Sequence, residues 1–134
     1  MKKTNSFLNI DISEEKKIYF SSDNHLGAPN QKESLVREKR FIEWLDSIKG
    51  NASAIFLLGD LFDFWFEYKK VVPKGFVRVL GKLAELSDLG IPMYFFVGNH
   101  DMWMNGYFEQ ELNIKVFYSP EKFIINGKHF LIGH

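Results

Sequence analysis

Residues 54–63 read Ala54-Ile55-Phe56-Leu57-Leu58-Gly59-Asp60-Leu61-Phe62-Asp63, and this stretch decides the fold. Its first five residues are an unbroken apolar run of strand length, the pattern of a strand buried on both faces of a parallel sheet. A glycine and an acid then end the run abruptly. Working outward, the same arrangement recurs: Ile18-Tyr19-Phe20 precedes Asp23-Asn24-His25, and Met93-Tyr94-Phe95-Phe96-Val97 precedes Gly98-Asn99-His100-Asp101. A fourth motif, Gly133-His134, follows residues 129–132. Successive motifs stand about 37 residues apart, close to the length of one βαβ unit, so the spacing needs no internal repeat to explain it.

Two segments of helical period separate the runs. In the first, Phe41, Ile42, Leu45 and Ile48 share a face, Asn30 and Glu33 form a capping pair at its start, and Gly50 lies past its end. In the second, Phe76, Leu80, Leu83 and Ser87 form a stripe flanked by Val77 and Ala84, with Gly90 and Pro92 as the stop. The expected order is β-α-β-α-β in an α/β fold. After Asp101 the pattern changes to short strands at 115–118, 123–125 and 129–132. Asn126-Gly127 between the last two is the dipeptide of a two-residue hairpin turn, so an antiparallel edge or second sheet is expected to begin here.

Composition sets the limits. With 134 residues, 46% hydrophobic and 16% aromatic, the chain supports one core and a single domain over residues 1–134. Seventeen basic and seventeen acidic residues leave no net charge, which argues against nucleic acid as a partner. Cysteine is absent, excluding disulfides, thiolate nucleophiles and Cys-based zinc sites. Met1 is followed by Lys2, Lys3, Thr4 and Asn5 with no apolar leader, so the cytoplasm is the simplest expected location.

Right-handed crossovers align the carboxyl ends of parallel strands, and open α/β sheets bind ligands outside those ends. Asp23, Asp60 and Asn99 each fall there. Carboxylate, carboxamide and imidazole groups are ligands for divalent ions, and a carboxylate such as Asp60 can bridge two of them. Asp and Asn also favour strand-end turns for purely local reasons. Four matching motifs at equivalent places favour metal binding, and two ions so placed suit hydrolysis of a phosphate ester or anhydride. His129, alternating with Phe130 in a hairpin strand, reads as a surface residue.

Asp-x-His, Gly-Asp-x-x-Asp, Gly-Asn-His-Asp and Gly-His, in that order across residues 23–134, resemble the ordered signature of the calcineurin-like metallophosphoesterases. The resemblance implies a two-sheet sandwich with flanking helices, here its amino-terminal portion, with the carboxyl-terminal part and its further metal-binding histidines absent. It implies Asp23, His25 and Asp60 as ligands of a first divalent ion and Asp60, Asn99 and His134 as ligands of a second. Mn²⁺ is the first expectation for both, with Fe, Zn or Mg as alternatives. His100 would stand over the phosphate, Asp101 would orient His100, and Asp63 would accept a hydrogen bond from a metal-bound histidine. On this basis the present chain is expected to bind metal weakly and to be poorly active.

Within that family, Gly59-Asp60-Leu61-Phe62-Asp63-Phe64-Trp65-Phe66 is similar to the UDP-2,3-diacylglucosamine pyrophosphatases of lipid A synthesis, as are residues 21–27 and 98–103. The similarity implies a nucleotide-linked lipid as substrate, a lipid monophosphate and UMP as products, and peripheral contact with the cytoplasmic face of the inner membrane. One residue departs: the better-known branch carries Arg at the position of His100, whereas phosphoesterases in general carry His. Other phosphoesterase activities, namely protein phosphatase, cyclic-nucleotide phosphodiesterase and nuclease, and a non-catalytic scaffold stay open as alternatives. Phe62, Phe64, Trp65, Phe66 and Tyr68 either line an apolar groove or pack beneath the sheet, and Met102, Trp103 and Met104 either flank the phosphate site or fill the core.

Overall fold

The computed structural model describes residues 8–134. Met1 to Asn5, on which the expectation of a leaderless amino terminus rests, lie outside the described residues. Four parallel strands form the main sheet in the order β2 (Lys17–Ser21), β3 (Ala52–Leu57), β4 (Met93–Phe96) and β5 (Lys115–Phe117). A second sheet of three strands has the order β1 (Leu8–Ile10), β6 (Glu121–Ile125), β7 (Lys128–Ile132), with β1 parallel and β7 antiparallel to β6.

The main sheet winds in one direction, so its right-handed crossovers all fall on one face. These crossovers contain α1 (Gln31–Ile48), α2 (Val77–Asp88) and α3 (Tyr107–Leu112). Alternation along β3 then explains its unbroken apolar sequence: Ile55 and Leu57 pack toward the helices, while Ala54 and Phe56 pack toward the second sheet. Phe56 is fully buried between the sheets, stacked on Phe20 and Tyr94 and edge-on to Phe123. Both cores therefore pass through one strand, and that strand delivers Asp60.

The expected cap of α1 is present, with the Asn30 side chain accepting the Glu33 N–H at 3.0 Å. Its buried face is Ser34, Glu38, Phe41, Leu45 and Ile48, longer and more polar than the apolar residues alone indicated. The second helix differs from expectation. It begins at Val77, and its buried residues are Val79, Leu83 and Leu86 rather than a stripe through Phe76 and Ser87. Phe76 is its N-cap at φ 61, in the left-handed region, where its ring packs edge-on against Phe62. Because Phe76 offers no capping oxygen, the buried Glu38 carboxylate of α1 accepts the Val79 N–H at 2.9 Å instead.

Residues 115–118 were expected to open an antiparallel region, whereas β5 continues the main sheet in parallel, reached through the six-residue α3. Neither α3 nor β1 was anticipated. The hairpin at Asn126-Gly127 is as expected, with φ 48 and 79 at the two positions.

Candidate metal centre

Three loops leave the carboxyl ends of β2, β3 and β4 at one rim. The first two are laced together by backbone bonds: the N–H groups of Asp23, His25 and Leu26 donate to the carbonyls of Gly59, Asp60 and Leu61 at 3.1, 2.9 and 2.9 Å. Asp63 N–H returns the bond to Leu26 at 2.9 Å. This lacing holds Asp23, His25 and Asp60 at φ 56, 46 and 52. A left-handed conformation costs an L-residue roughly 1–2 kcal/mol, and such strain concentrates at functional sites. The loops also approach closely enough to require glycine at two points. A Cβ at Gly98 would lie 2.6 Å from Asp60 N and collide with its carboxylate, and one at Gly59 would lie 2.6 Å from His134 Nδ1.

The side chains converge on Asp60, which is 3% exposed. Its Oδ1 accepts the His100 N–H at 2.9 Å, and its Oδ2 faces His25 Nε2 at 3.7 Å and His134 Nε2 at 3.5 Å. His25 Nε2 also stands 3.7 Å from Asp23 Oδ1. These nitrogen–oxygen separations are too long for good hydrogen bonds. They approach the spacing of about 3.0–3.4 Å between two ligand atoms each held about 2.1 Å from one ion. Ligand atoms of His25, Asp60 and His100, and again of Asp23, Asp60 and His134, lie within 4.8 Å of one another. Asp60 belongs to both groups.

Second hydrogen bonds fix the imidazoles. His134 Nδ1 lies 2.7 Å from the Leu58 carbonyl and His100 Nδ1 2.9 Å from the Asp63 carbonyl. A carbonyl only accepts, so each Nδ1 carries a proton and, in the neutral ring, Nε2 carries the lone pair. His25 Nδ1 lies 3.4 Å from Asp63 Oδ1, an arrangement that selects the same tautomer. The residues present thus fit a cation: imidazoles of His25, His100 and His134 and carboxylates of Asp23 and Asp60 gathered within reach of one another.

Of the residues expected at the site, Asp23, His25, Asp60, His100 and His134 are brought together; the rings of His25 and His100 meet edge to face at 4.8 Å, and Asp63 Oδ1 lies 3.4 and 3.6 Å from their Nδ1 atoms. Asn99 is exposed in the same turn, next to Gly98 and His100. Asp101 has partners other than the expected His100. It is completely buried and accepts the N–H groups of Gly98 at 2.8 Å, Asp60 at 3.2 Å and Phe62 at 3.3 Å, joining the second and third loops. Burial pushes its carboxyl above the ordinary carboxylate range, opposed by those three donors, which favour the ionised form. His129 is exposed on β7, away from the rim, as expected.

The aromatic stretch divides between its two readings. Phe62 and Trp65 are buried and stacked with ring centroids 4.5 Å apart, while Phe64, Phe66 and Tyr68 are exposed. Met104 is buried, whereas Met102 and Trp103 are exposed, and the Trp103 ring lies 6.0 Å from Phe64. An apolar surface therefore flanks the third loop. Sequence reasoning passed over Ser34 and Arg37, which hold the first loop from α1. Their signal was their place, two turns and one turn before Phe41 respectively, on the inner face of that helix.

A family model described as calcineurin-like phosphoesterase matches residues 16–132. Among curated relatives, the UDP-2,3-diacylglucosamine hydrolase of Porphyromonas gingivalis is 47% identical over 118 residues, covering 88% of this chain and 45% of the relative. Those of Nitrosococcus oceani and Neisseria meningitidis are 29% and 40% identical over 116 and 86 residues. These alignments cover 87% and 64% of this chain, and 44% and 34% of the relatives. The chain spans less than half the length of these curated relatives.

Proposed function

The chain belongs to the calcineurin-like phosphoesterase family, and on that premise we propose that it forms the metal-holding part of a two-ion hydrolase that cleaves UDP-2,3-diacylglucosamine to UMP and a lipid monophosphate. The observation that carries the two-ion reading is the buried Asp60 carboxylate, whose Oδ2 faces two imidazole Nε2 atoms on opposite ligand groups. In this reading Asp23, His25 and Asp60 hold one ion and Asp60, Asn99 and His134 the other, with Mn²⁺ as the native metal. When bound, such ions supply an activated water and neutralise charge on the phosphate oxygens.

The protein's own side chains then have separate tasks. Asp60 Oδ1 is held by the His100 N–H, which leaves Oδ2 free to bridge. Asp63 orients both imidazoles, its carboxylate facing His25 Nδ1 and its main-chain carbonyl accepting from His100 Nδ1. When protonated, His100 carries its second proton on Nε2, where it serves the leaving oxygen or offsets the charge that develops on it. Asp101 maintains the approach of the second and third loops and does not touch the reacting atoms.

The names of the relatives support the lipid-linked substrate, as does the exposed surface of Phe64, Phe66, Met102 and Trp103 on and against the third loop, which suits an apolar ligand portion. No helix among the described residues is long and apolar enough to cross a membrane. Peripheral contact with the cytoplasmic face of the inner membrane accords with a substrate of this kind. The test is incubation of the full-length protein with Mn²⁺ and UDP-2,3-diacylglucosamine. UMP release that is lost in Asp60→Ala is expected, and hydrolysis of a simple phosphodiester without UMP release would overturn the substrate assignment.

A further inference from the structure

The loop from Asp23 to Pro29 is held from two sides, and only one belongs to the family motifs. On one side its N–H groups donate to the second loop. On the other side the half-buried guanidinium of Arg37 donates to three of its carbonyls, those of Asn24, His25 and Ala28, with the His25 contact at 3.0 Å. One turn earlier on α1, the buried Ser34 hydroxyl accepts the Gly27 N–H at 2.6 Å. Both side chains ride on a helix anchored by buried Phe41, Leu45 and Ile48, so their positions are set by the core rather than by the loop.

Resting on the two-ion reading above, we propose that Arg37 is a positioning residue of the metal centre. Its planar fork fixes the carbonyls on either side of His25 and so aims Asp23 and His25 at the cation. The geometry explains why a guanidinium stands there. Asp23 and His25 both occupy the left-handed region, which turns successive carbonyls outward and leaves them in need of donors. Arginine offers five N–H groups in a rigid plane, enough to serve three acceptors at once, whereas a lysine ammonium is a compact point charge. Charge alone predicts the reverse effect on metal binding, because removing a cation close to a dication site tightens that site. Weakened binding on loss of Arg37 is therefore a signature of positioning.

The experiment compares the full-length wild-type protein with Arg37→Ala and Arg37→Lys. Mn²⁺ binding is followed by the electron paramagnetic resonance of the free ion, and amide hydrogen exchange is followed in the metal-free protein. In Arg37→Ala, Mn²⁺ affinity is expected to fall about 10–100-fold, the usual cost of losing an outer-shell support. Exchange should quicken across residues 23–28 and stay unchanged in β3 and β4. Arg37→Lys keeps the charge and is expected to be weakened too, and methylguanidine added to Arg37→Ala should restore part of the affinity. Unchanged or tighter Mn²⁺ binding in both variants, or unaltered exchange at 23–28, would overturn the proposal. If Arg37→Ala does not fold, Arg37→Lys decides between these outcomes. A wild-type protein that binds no Mn²⁺ would defeat the two-ion reading together with the metal-directed part of this proposal, while exchange at 23–28 would still judge whether Arg37 orders the loop.

Discussion

Replacing Asp101 tests whether the second and third loops are joined through its carboxylate. Oδ1 serves the N–H groups of Gly98 and Asp60, and Oδ2 serves that of Phe62, all in a completely buried setting. Asp101→Asn keeps one oxygen, best placed at the Gly98 and Asp60 donors, and turns its amide N–H groups toward Phe62 N–H. One buried donor is orphaned, at a cost of about 1–3 kcal/mol. Asp101→Ala orphans all three. Relief of the desolvated carboxylate returns part of that sum, so a net loss of about 3–5 kcal/mol is expected for alanine and about 1–2 for asparagine. Against a domain stability of about 5–15 kcal/mol, the alanine variant approaches the limit of folding. Urea unfolding followed by tryptophan fluorescence should show a reduced midpoint at unchanged slope for both, in that order. An alanine variant within about 0.5 kcal/mol of wild type, below the cost of even one orphaned donor, would refute the reasoning. An asparagine variant as damaged as the alanine one would show that charge, rather than the number of acceptors, matters.

Gly98→Ala is expected to force the Asp60 loop to shift, since the new Cβ would stand 2.6 Å from Asp60 N; a stability loss of about 1–3 kcal/mol and weaker Mn²⁺ binding should appear together in urea and calorimetric titrations. Phe56→Ala empties the space between the sheets that four neighbouring rings share, and should cost about 3–5 kcal/mol by urea unfolding while leaving the rim residues in place. Burial among Phe56, Phe117 and Phe123 pushes the Tyr94 hydroxyl above its usual value, so the unfolded chain loses that proton first. Stability contributed in this way is intact below about pH 10 and declines as pH rises beyond it, and Tyr94→Phe should remove that share of the decline in unfolding midpoints measured across alkaline pH.

What could be read from the sequence depended on whether a residue's neighbours were local. The runs ending at Leu58 and Val97 announced a parallel sheet because both faces of β3 and β4 are covered, whereas the run ending at Phe20 was expected to be buried likewise but lies in the edge strand β2, where Phe20 is 46% exposed. Asn30 capping Glu33 and the Asn126-Gly127 turn were legible for the same reason, as each is a bond or dihedral within a few residues. Phe76 was misplaced because its ring is claimed by Phe62, which periodicity within α2 cannot reveal. The direction of β5 was hidden by the brevity of α3, six residues being too few to announce a crossover. The candidate site residues were read from motifs, but a motif does not say which donors an inward carboxylate meets. Asp101 therefore went to backbone N–H groups rather than to His100, and Arg37, outside every motif, was overlooked.

The same side chains that tie the loops together also face the candidate cation site, and they divide these tasks atom by atom. His134 bonds Leu58 through Nδ1 and presents Nε2 to Asp60, His100 bonds Asp63 through Nδ1, and Asp60 holds the His100 N–H with Oδ1 while Oδ2 faces the rings. Each second atom is left unused by the fold. Three left-handed residues cost about 1–2 kcal/mol apiece, and this is offset by hydrogen bonds that run between loops rather than within them. Strain and its compensation are thus both completed during folding. An ion arriving at the rim would meet ligand atoms whose direction is already fixed, and its binding energy would not be consumed in ordering them.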